Sequence, residues 1–252
     1  MTGAGRRRRR LLWWIGGGLA GVLLLAATGI VVWSQVGVYQ AEAEPLAAVR
    51  ADPAIRLAED GTAIVMSPTR ADTDATRGLV FIPGAKVDPW AYASTLSGLV
   101  AEDGLTVVIT RPWLNLAFFD PRPLSTFTDL APGVQTWAVG GHSLGGVRAC
   151  SLATDADALV LFASYCATDI SGSGLPVLSL AGSDDGLSTP QKIDDARHLL
   201  PPGATVVQID GASHASFGAY GPQDGDGVPT LSREKVTAEI TSSAGEFIAS
   251  LD

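Results

Sequence analysis

Three histidines and two cysteines are all that 252 residues offer of the side chains that most often bind transition metals or build disulfide scaffolds. Two cysteines cannot staple a disulfide-dense fold. Without a C-x-x-C pair or a histidine cluster, a multi-histidine metal site is not expected either. Charge is also sparse, at 17%, against a hydrophobic share of 46%. A chain this apolar is neither disordered nor collagen-like. The charges present are unevenly spread. Arg6 to Arg10 are five of the 17 Lys and Arg; they fall in the first 33 residues, which hold none of the 26 acids, so residues 34–252 carry a net charge of −14. Such an acidic body offers no basic face to nucleic acid or to anionic lipid head groups, and no nucleic-acid partner is expected.

Mean hydropathy is +0.25, and much of the excess lies in one stretch. Leu11 to Trp33 is a run of 23 residues without a charge. As a helix it would span about 34 Å, slightly more than a hydrocarbon core of about 30 Å. Trp13 and Trp14 mark one end and Trp33 the other, and indole rings favour the lipid–water interface. The arginines flank the N-terminal side and hold it in the cytoplasm, with the remainder outside. A cleaved signal peptide is the other reading. Its apolar core would be about 7–15 residues with a small-residue site close behind, whereas Ala41 and Ala43 lie far downstream. The sequence therefore divides into a cytoplasmic tail (1–10), a transmembrane signal-anchor helix (11–33) with the lipid bilayer as its partner, a stalk (34–53) and a folded domain (54–252). No pattern reports an oligomeric state.

The domain reads as alternating strands and helices. Ile55 to Glu59 and Thr62 to Met66 flank Asp60-Gly61, a hairpin signal. Strand-like runs follow at Gly78 to Ile82, Leu105 to Thr110, Gln135 to Gly140, Ala158 to Ala163, Pro176 to Ala181 and Thr205 to Ile209. Helical spacing covers Asp88 to Glu102, Leu144 to Ala153, Pro190 to Leu199 and Ser232 to Ser250, with a short helix around Pro45 to Arg50. Runs such as Val107-Val108-Ile109 lack polar alternation, as in strands covered on both faces. A hairpin followed by repeated strand–helix units predicts an α/β three-layer sandwich with a mostly parallel sheet, preceded by one transmembrane helix.

Gly141-His142-Ser143-Leu144-Gly145 is a G-x-S-x-G motif between a strand and a helix. The turn strains the serine backbone, and the flanking glycines let strand and helix approach. Ser143 then stands at a helix N-terminus, where amide groups favour the negative charge that develops in acyl transfer. A serine hydroxyl needs an adjacent base, and His214, in a small-residue loop after the Val206 to Ile209 run, is the candidate. His142 adjoins the nucleophile and is read as structural; His198 is read as a surface or packing residue.

With these residues in place, the stretch from Ile55 to the C-terminus resembles the α/β-hydrolase superfamily, closest to its small, lid-poor dienelactone-hydrolase-like branch but with serine as nucleophile. Four motifs carry the resemblance in the family's order: Phe81-Ile82-Pro83-Gly84-Ala85-Lys86-Val87-Asp88, the elbow, Gly182-Ser183-Asp184-Asp185-Gly186, and Gly211 to Gly218 around His214. The resemblance implies a Ser143, Asp185, His214 triad. The family's acid commonly sits three residues after the glycine, which favours Asp185 over its neighbour Asp184. It also implies an oxyanion hole from the Leu144 amide and one in the loop after the Leu79 to Phe81 run. Ala85 is the expected second donor and Lys86 the alternative, since Pro83 stands where the family often has histidine.

Other features carry weaker signals. Asp224 and Asp226 suggest a calcium loop, but Val228 and Lys235 occupy ligand positions of that pattern, so the segment reads as a turn-rich rim. Cys150 and Cys166 are expected at different depths, which disfavours their pairing. Trp113, Phe118 and Phe119 follow a strand end and read either as an apolar acyl pocket or as core. About a dozen residues separate Ala163 from Pro176, too few for an inserted lid.

The sum predicts a membrane-anchored extracytoplasmic serine hydrolase (carboxylesterase- or lipase-like) acting on a small-molecule acyl substrate without a cofactor. A non-catalytic binding domain on the same fold and an acyltransferase using the same triad are the alternatives. For topology, protease added to intact spheroplasts is expected to digest the domain; complete protection would reverse the orientation.

Overall fold

The computed structural model describes residues 3–70 and 76–251, with the side chains of residues 1–11, and so the Arg6–Arg10 run, outside the described residues. The chain forms two compact units, Met1–Val38 and Tyr39–Asp252. The first is a single helix, α1 (Gly3–Gln35). Its segment Leu12–Gln35, with a mean hydropathy of 2.2, is long and apolar enough to cross a membrane. The large apolar side chains from Leu12 to Trp33 are exposed, so the helix finds no core of its own to bury them.

The second unit begins earlier than the stalk predicted over 34–53 would allow. The Tyr39 amide donates to the Lys86 carbonyl at 2.7 Å, and the Asp88 amide donates to the Tyr39 carbonyl at 2.9 Å. Helix α2 (Ala43–Ala51) then packs Leu46 and Val49 onto the core. Residues 39–53 are therefore folded with the domain, because Tyr39, Leu46 and Val49 bury apolar surface that a stalk would leave wet.

The sheet comprises β1 (Ile55–Glu59), β2 (Ala63–Pro68), β3 (Arg77–Ile82), β4 (Thr106–Thr110), β5 (Thr136–His142), β6 (Ala158–Phe162), β7 (Val177–Gly182) and β8 (Thr205–Ile209). Their order is β1-β2-β4-β3-β5-β6-β7-β8. β1 pairs antiparallel with β2, and β2 with β4; from β4 through β3 to β8 every pairing is parallel. Successive residues serve opposite faces. Leu79 and Phe81 of β3 join the core beneath α3 (Ala93–Ala101) and α7 (Arg233–Ala249), while Val80 and Ile82 join the one beneath α5 (Leu144–Leu152). Both faces are covered, which explains the missing polar alternation and gives the three-layer sandwich expected from the sequence.

Two helices differ from their predicted extents. The stretch from Asp88 opens with a 3-10 turn, Pro89–Tyr92, whose first amide donor, Trp90, is capped by the Asp88 carboxylate at 3.0 Å. The Pro190 to Leu199 stretch divides into α6 (Pro190–Asp195) and a 3-10 turn, Arg197–Leu199. Leu200 is extended there, as befits a residue preceding proline.

The cysteines pair, contrary to expectation: Cys150 of α5 and Cys166 form a disulfide with Cα atoms 5.6 Å apart. The chain leaves β6 through Ala163, whose φ is +46°. Ser164 then donates to the Ser143 carbonyl at 2.6 Å. The strand exit thus turns back onto the start of α5 and lifts Cys166 to the depth of Cys150. Closing a loop of this length removes about 3 kcal/mol of unfolded-state freedom. Reduction is therefore expected to lower the denaturant midpoint of the folded protein by a corresponding amount; an unchanged midpoint in the fully reduced protein would show the bond to be idle.

Candidate active site

The carboxyl ends of parallel strands present loops and helix N-termini to one edge of the sheet. Ser143 lies there, between β5 and α5, with φ +53° and ψ −123°. This is a sparsely populated conformation for a residue with a side chain. It persists because its surroundings are crowded: a Cβ on Gly145 would fall 2.0 Å from the Ile82 carbonyl oxygen, and one on Gly146 would fall 2.4 Å from Ser164 Oγ. The Ser143 carbonyl accepts from Gly146 at 3.0 Å, Val147 at 3.3 Å and Ser164 Oγ at 2.6 Å, and its amide donates to Phe162 at 3.1 Å. The half-buried side chain is left to project above this fixed backbone.

Asp185 follows β7 and His214 follows β8. His214 Nδ1 lies 2.8 Å from Asp185 Oδ2, and both side chains are almost wholly buried. The second Asp185 oxygen accepts the Leu187 and Ser188 amides at 2.8 and 2.7 Å. The carboxylate is therefore fully engaged, with Nδ1–H of His214 as its remaining donor. Asp184 turns elsewhere, accepting from Ser183 at 3.2 Å and Thr230 at 3.1 Å. His198 is exposed and lies against the Asp195 carbonyl.

Of the two expected oxyanion donors, Leu144 is the first residue of α5 and Ala85 lies in the loop after β3. Among the described residues, neither amide donates within the chain. The alternative, Lys86, uses its amide on the Asn115 carbonyl at 2.8 Å.

Three further residues organise this edge. His142 is buried, its Nε2 3.1 Å from the His214 carbonyl and its Nδ1 2.9 Å from the Tyr92 hydroxyl. A carbonyl only accepts, so Nε2 carries the proton and Nδ1 accepts from Tyr92. The Tyr92 oxygen in turn receives the Gly84 amide at 3.0 Å. The chain of bonds runs from the loop before Ala85 to the backbone of His214. Burial, and secondly the nearby His214, push the His142 pKa well below its usual value. Burial raises that of Tyr92, so both groups are neutral.

In sequence Asp226 reads only as part of a turn-rich rim whose calcium-loop pattern is incomplete. One of its carboxylate oxygens accepts the amides of Gly186 at 3.1 Å, His214 at 3.0 Å and Gly227 at 2.7 Å; the other accepts that of Ala215 at 2.8 Å. It thereby ties the loop of Asp185 to the loop of His214. Burial opposes its charge, but the amides of Ala215, His214 and Gly186 outweigh that and hold its pKa below the usual carboxylate range. Only its position in a Gly-rich segment hinted at this role. Among the described residues, no group of three or more His, Cys, Asp and Glu side chains could hold a metal ion.

Trp113, Phe118 and Phe119 are exposed, which excludes core packing. Residues 163–176 form no helix or strand, so no inserted lid covers the site from the β6–β7 connection.

Comparison with known proteins agrees with this architecture. The family model described as "Alpha/beta hydrolase family" matches residues 78–238. A thermostable esterase from Pseudomonas putida superposes with a TM-score of 0.59 at 16% identity, covering 83% of this chain and 88% of its own. A carboxyl esterase from the mycorrhizal fungus Tuber melanosporum gives 0.57 at 13% identity, covering 86% and 92%. Est1E from Butyrivibrio proteoclasticus gives 0.54 at 13%, covering 78% and 99%. No curated protein matches the chain in sequence.

The Asp226 clasp has an acid signature. A carboxylate whose folded pKa lies below its unfolded value, about 3.9, adds stability above that pH and loses it as pH falls through the folded value. Asp226→Asn is expected to lower stability at pH 7 and to flatten the loss below about pH 4 relative to wild type. Chemical denaturation across that range checks both; parallel curves would show that Asp226 does not carry the effect.

Proposed function

Because the chain belongs to the alpha/beta hydrolase family, we propose that it is a serine hydrolase cleaving an ester or related acyl bond, anchored in the membrane with its domain outside the cytoplasm. The buried 2.8 Å contact between His214 and Asp185 carries this reading. It is the arrangement needed to fix the histidine tautomer and to stabilise its cation, and it lies at the same sheet edge as the constrained Ser143.

In the proposed reaction the Ser143 hydroxyl gives its proton to His214 Nε2 while its oxygen attacks the acyl carbon. The carbonyl electron pair moves to oxygen, which the Leu144 and Ala85 amides receive. Collapse breaks the bond to the alcohol, which leaves with the proton from His214. Water, deprotonated by the same nitrogen, then releases the acid and restores Ser143. The fit of the esterase structures supports a fold suited to this chemistry. The Cys150–Cys166 bond supports the extracytoplasmic location, since disulfides persist mainly in oxidising compartments. The apolar helix Leu12–Gln35 supports the anchor.

A fluorophosphonate probe is expected to label wild type at Ser143 and to fail with Ser143→Ala. Asp185→Asn should reduce kcat by about 10³–10⁴-fold, whereas Asp184→Asn should be mild. A folded protein unlabelled at Ser143 across pH 6–9 would overturn the reading, and loss confined to Asp184→Asn would reassign the acid.

A further inference from the structure

The loop after β4 is unusual for a domain whose other aromatic side chains are mostly covered. Trp113 is 53% exposed, Phe118 78% and Phe119 45%. The two phenylalanine rings meet edge to face at 5.7 Å. Neighbouring exposed aromatic groups of this kind mark an interaction surface more often than chance. The backbone holds them out. Leu114 and Asn115 adopt φ of +58° and +55°, and the Asn115 carbonyl accepts the Lys86 amide at 2.8 Å. The aromatic loop is thus fastened to the loop of Ala85, at the sheet edge that carries Ser143.

The root of the N-terminal segment lies on that same loop. Tyr39, the first residue of the domain, bonds to Lys86 and Asp88 and bridges to Val87. Only Val36, Gly37 and Val38 separate it from Gln35, the last residue of the apolar helix. Four peptide steps reach about 14 Å at full extension. This limit follows from the covalent chain alone. With the helix in a bilayer, that short link holds Tyr39, and through it the Lys86–Asp88 loop, within the same covalent reach of the helix end.

We propose that the exposed Trp113, Phe118 and Phe119 loop docks into the bilayer that holds the N-terminal helix, and that the substrate is an acyl ester resident in that bilayer. The proposal rests on the serine-hydrolase reading and on the anchor. Indole and phenyl groups partition into the lipid interface, and the loop that bears them is bonded to the Ala85 loop through Asn115 and Lys86. An acyl lipid can then reach Ser143 from the leaflet. The acidic domain, net −14 from residue 34 onward, is repelled by anionic head groups, which favours a neutral or zwitterionic leaflet.

The test uses the full chain reconstituted in dioleoylphosphatidylcholine vesicles. Hydrolysis of dioleoylglycerol in the same vesicles is compared with that of water-soluble 4-nitrophenyl butyrate. For the Phe118→Ser, Phe119→Ser double variant, the ratio of bilayer to soluble rates is expected to fall about tenfold or more, since two apolar side chains no longer enter lipid. A second variant inserts twenty Gly and Ser residues after Gly37, lengthening the tether by about 25 Å. It should lower the same ratio while leaving the soluble rate unchanged. Wild type that hydrolyses the butyrate but not the diacylglycerol overturns the proposal, as does an unchanged ratio in both variants. Failure on both substrates, together with no fluorophosphonate labelling at Ser143, instead sinks the serine-hydrolase reading on which it stands.

Discussion

The approach of α5 to the loop after β3 is the constraint on which this edge of the molecule depends. Gly145 sits where a single added carbon would strike the Ile82 carbonyl. That closeness is possible only for glycine, and it brings the N-terminus of α5 beside the loop of Ala85. The same compression holds Ser143 at a positive φ and directs its carbonyl inward to three donors. Sheet order, with β5 between β3 and β6, follows the same logic. It places both partners of the turn, Ile82 on one side and Phe162 on the other, within bonding reach of the elbow.

Around that turn the polar groups are arranged as closed accounts of donors and acceptors. A buried imidazole, phenol or carboxylate without partners would cost about as much as several ordinary hydrogen bonds contribute. Here the His142 nitrogens, the Tyr92 hydroxyl and all four oxygens of Asp185 and Asp226 are used. The result is rigidity where acid and base chemistry would require it. His214 is held at its ring by Asp185, at its amide by Asp226 and at its carbonyl by His142. Few rotations of that ring are compatible with three separate attachments.

How legible this was depended on sequence distance. The strands and the elbow were readable because their signals are local: apolar runs, Asp60-Gly61, and glycines two positions either side of Ser143. The choice of Asp185 over Asp184 came from a family spacing, and it is Asp185 whose carboxylate lies 2.8 Å from His214 Nδ1. What escaped were features created by distant segments meeting. Asp226 bonds to Gly186, 40 residues earlier, and its own neighbourhood reads only as turns. The disulfide depends on the chain reversing at Ala163, which no propensity of that short segment announces. Tyr39 looked like linker because its partners, Lys86 and Asp88, lie almost fifty residues on. The domain edge therefore lay well before the sequence boundary.

The disulfide also changes the thermodynamics of binding at this site. The connection between β6 and β7 is a natural place for a cover to hinge, and Cys166 fastens its beginning to α5. Ser164, two residues earlier, is thereby held against the Ser143 carbonyl. Ordering that connection costs conformational entropy once, when the bond forms during folding. On the proposed reading, a substrate arriving later meets a wall already in position and does not have to spend its own binding energy on arranging it.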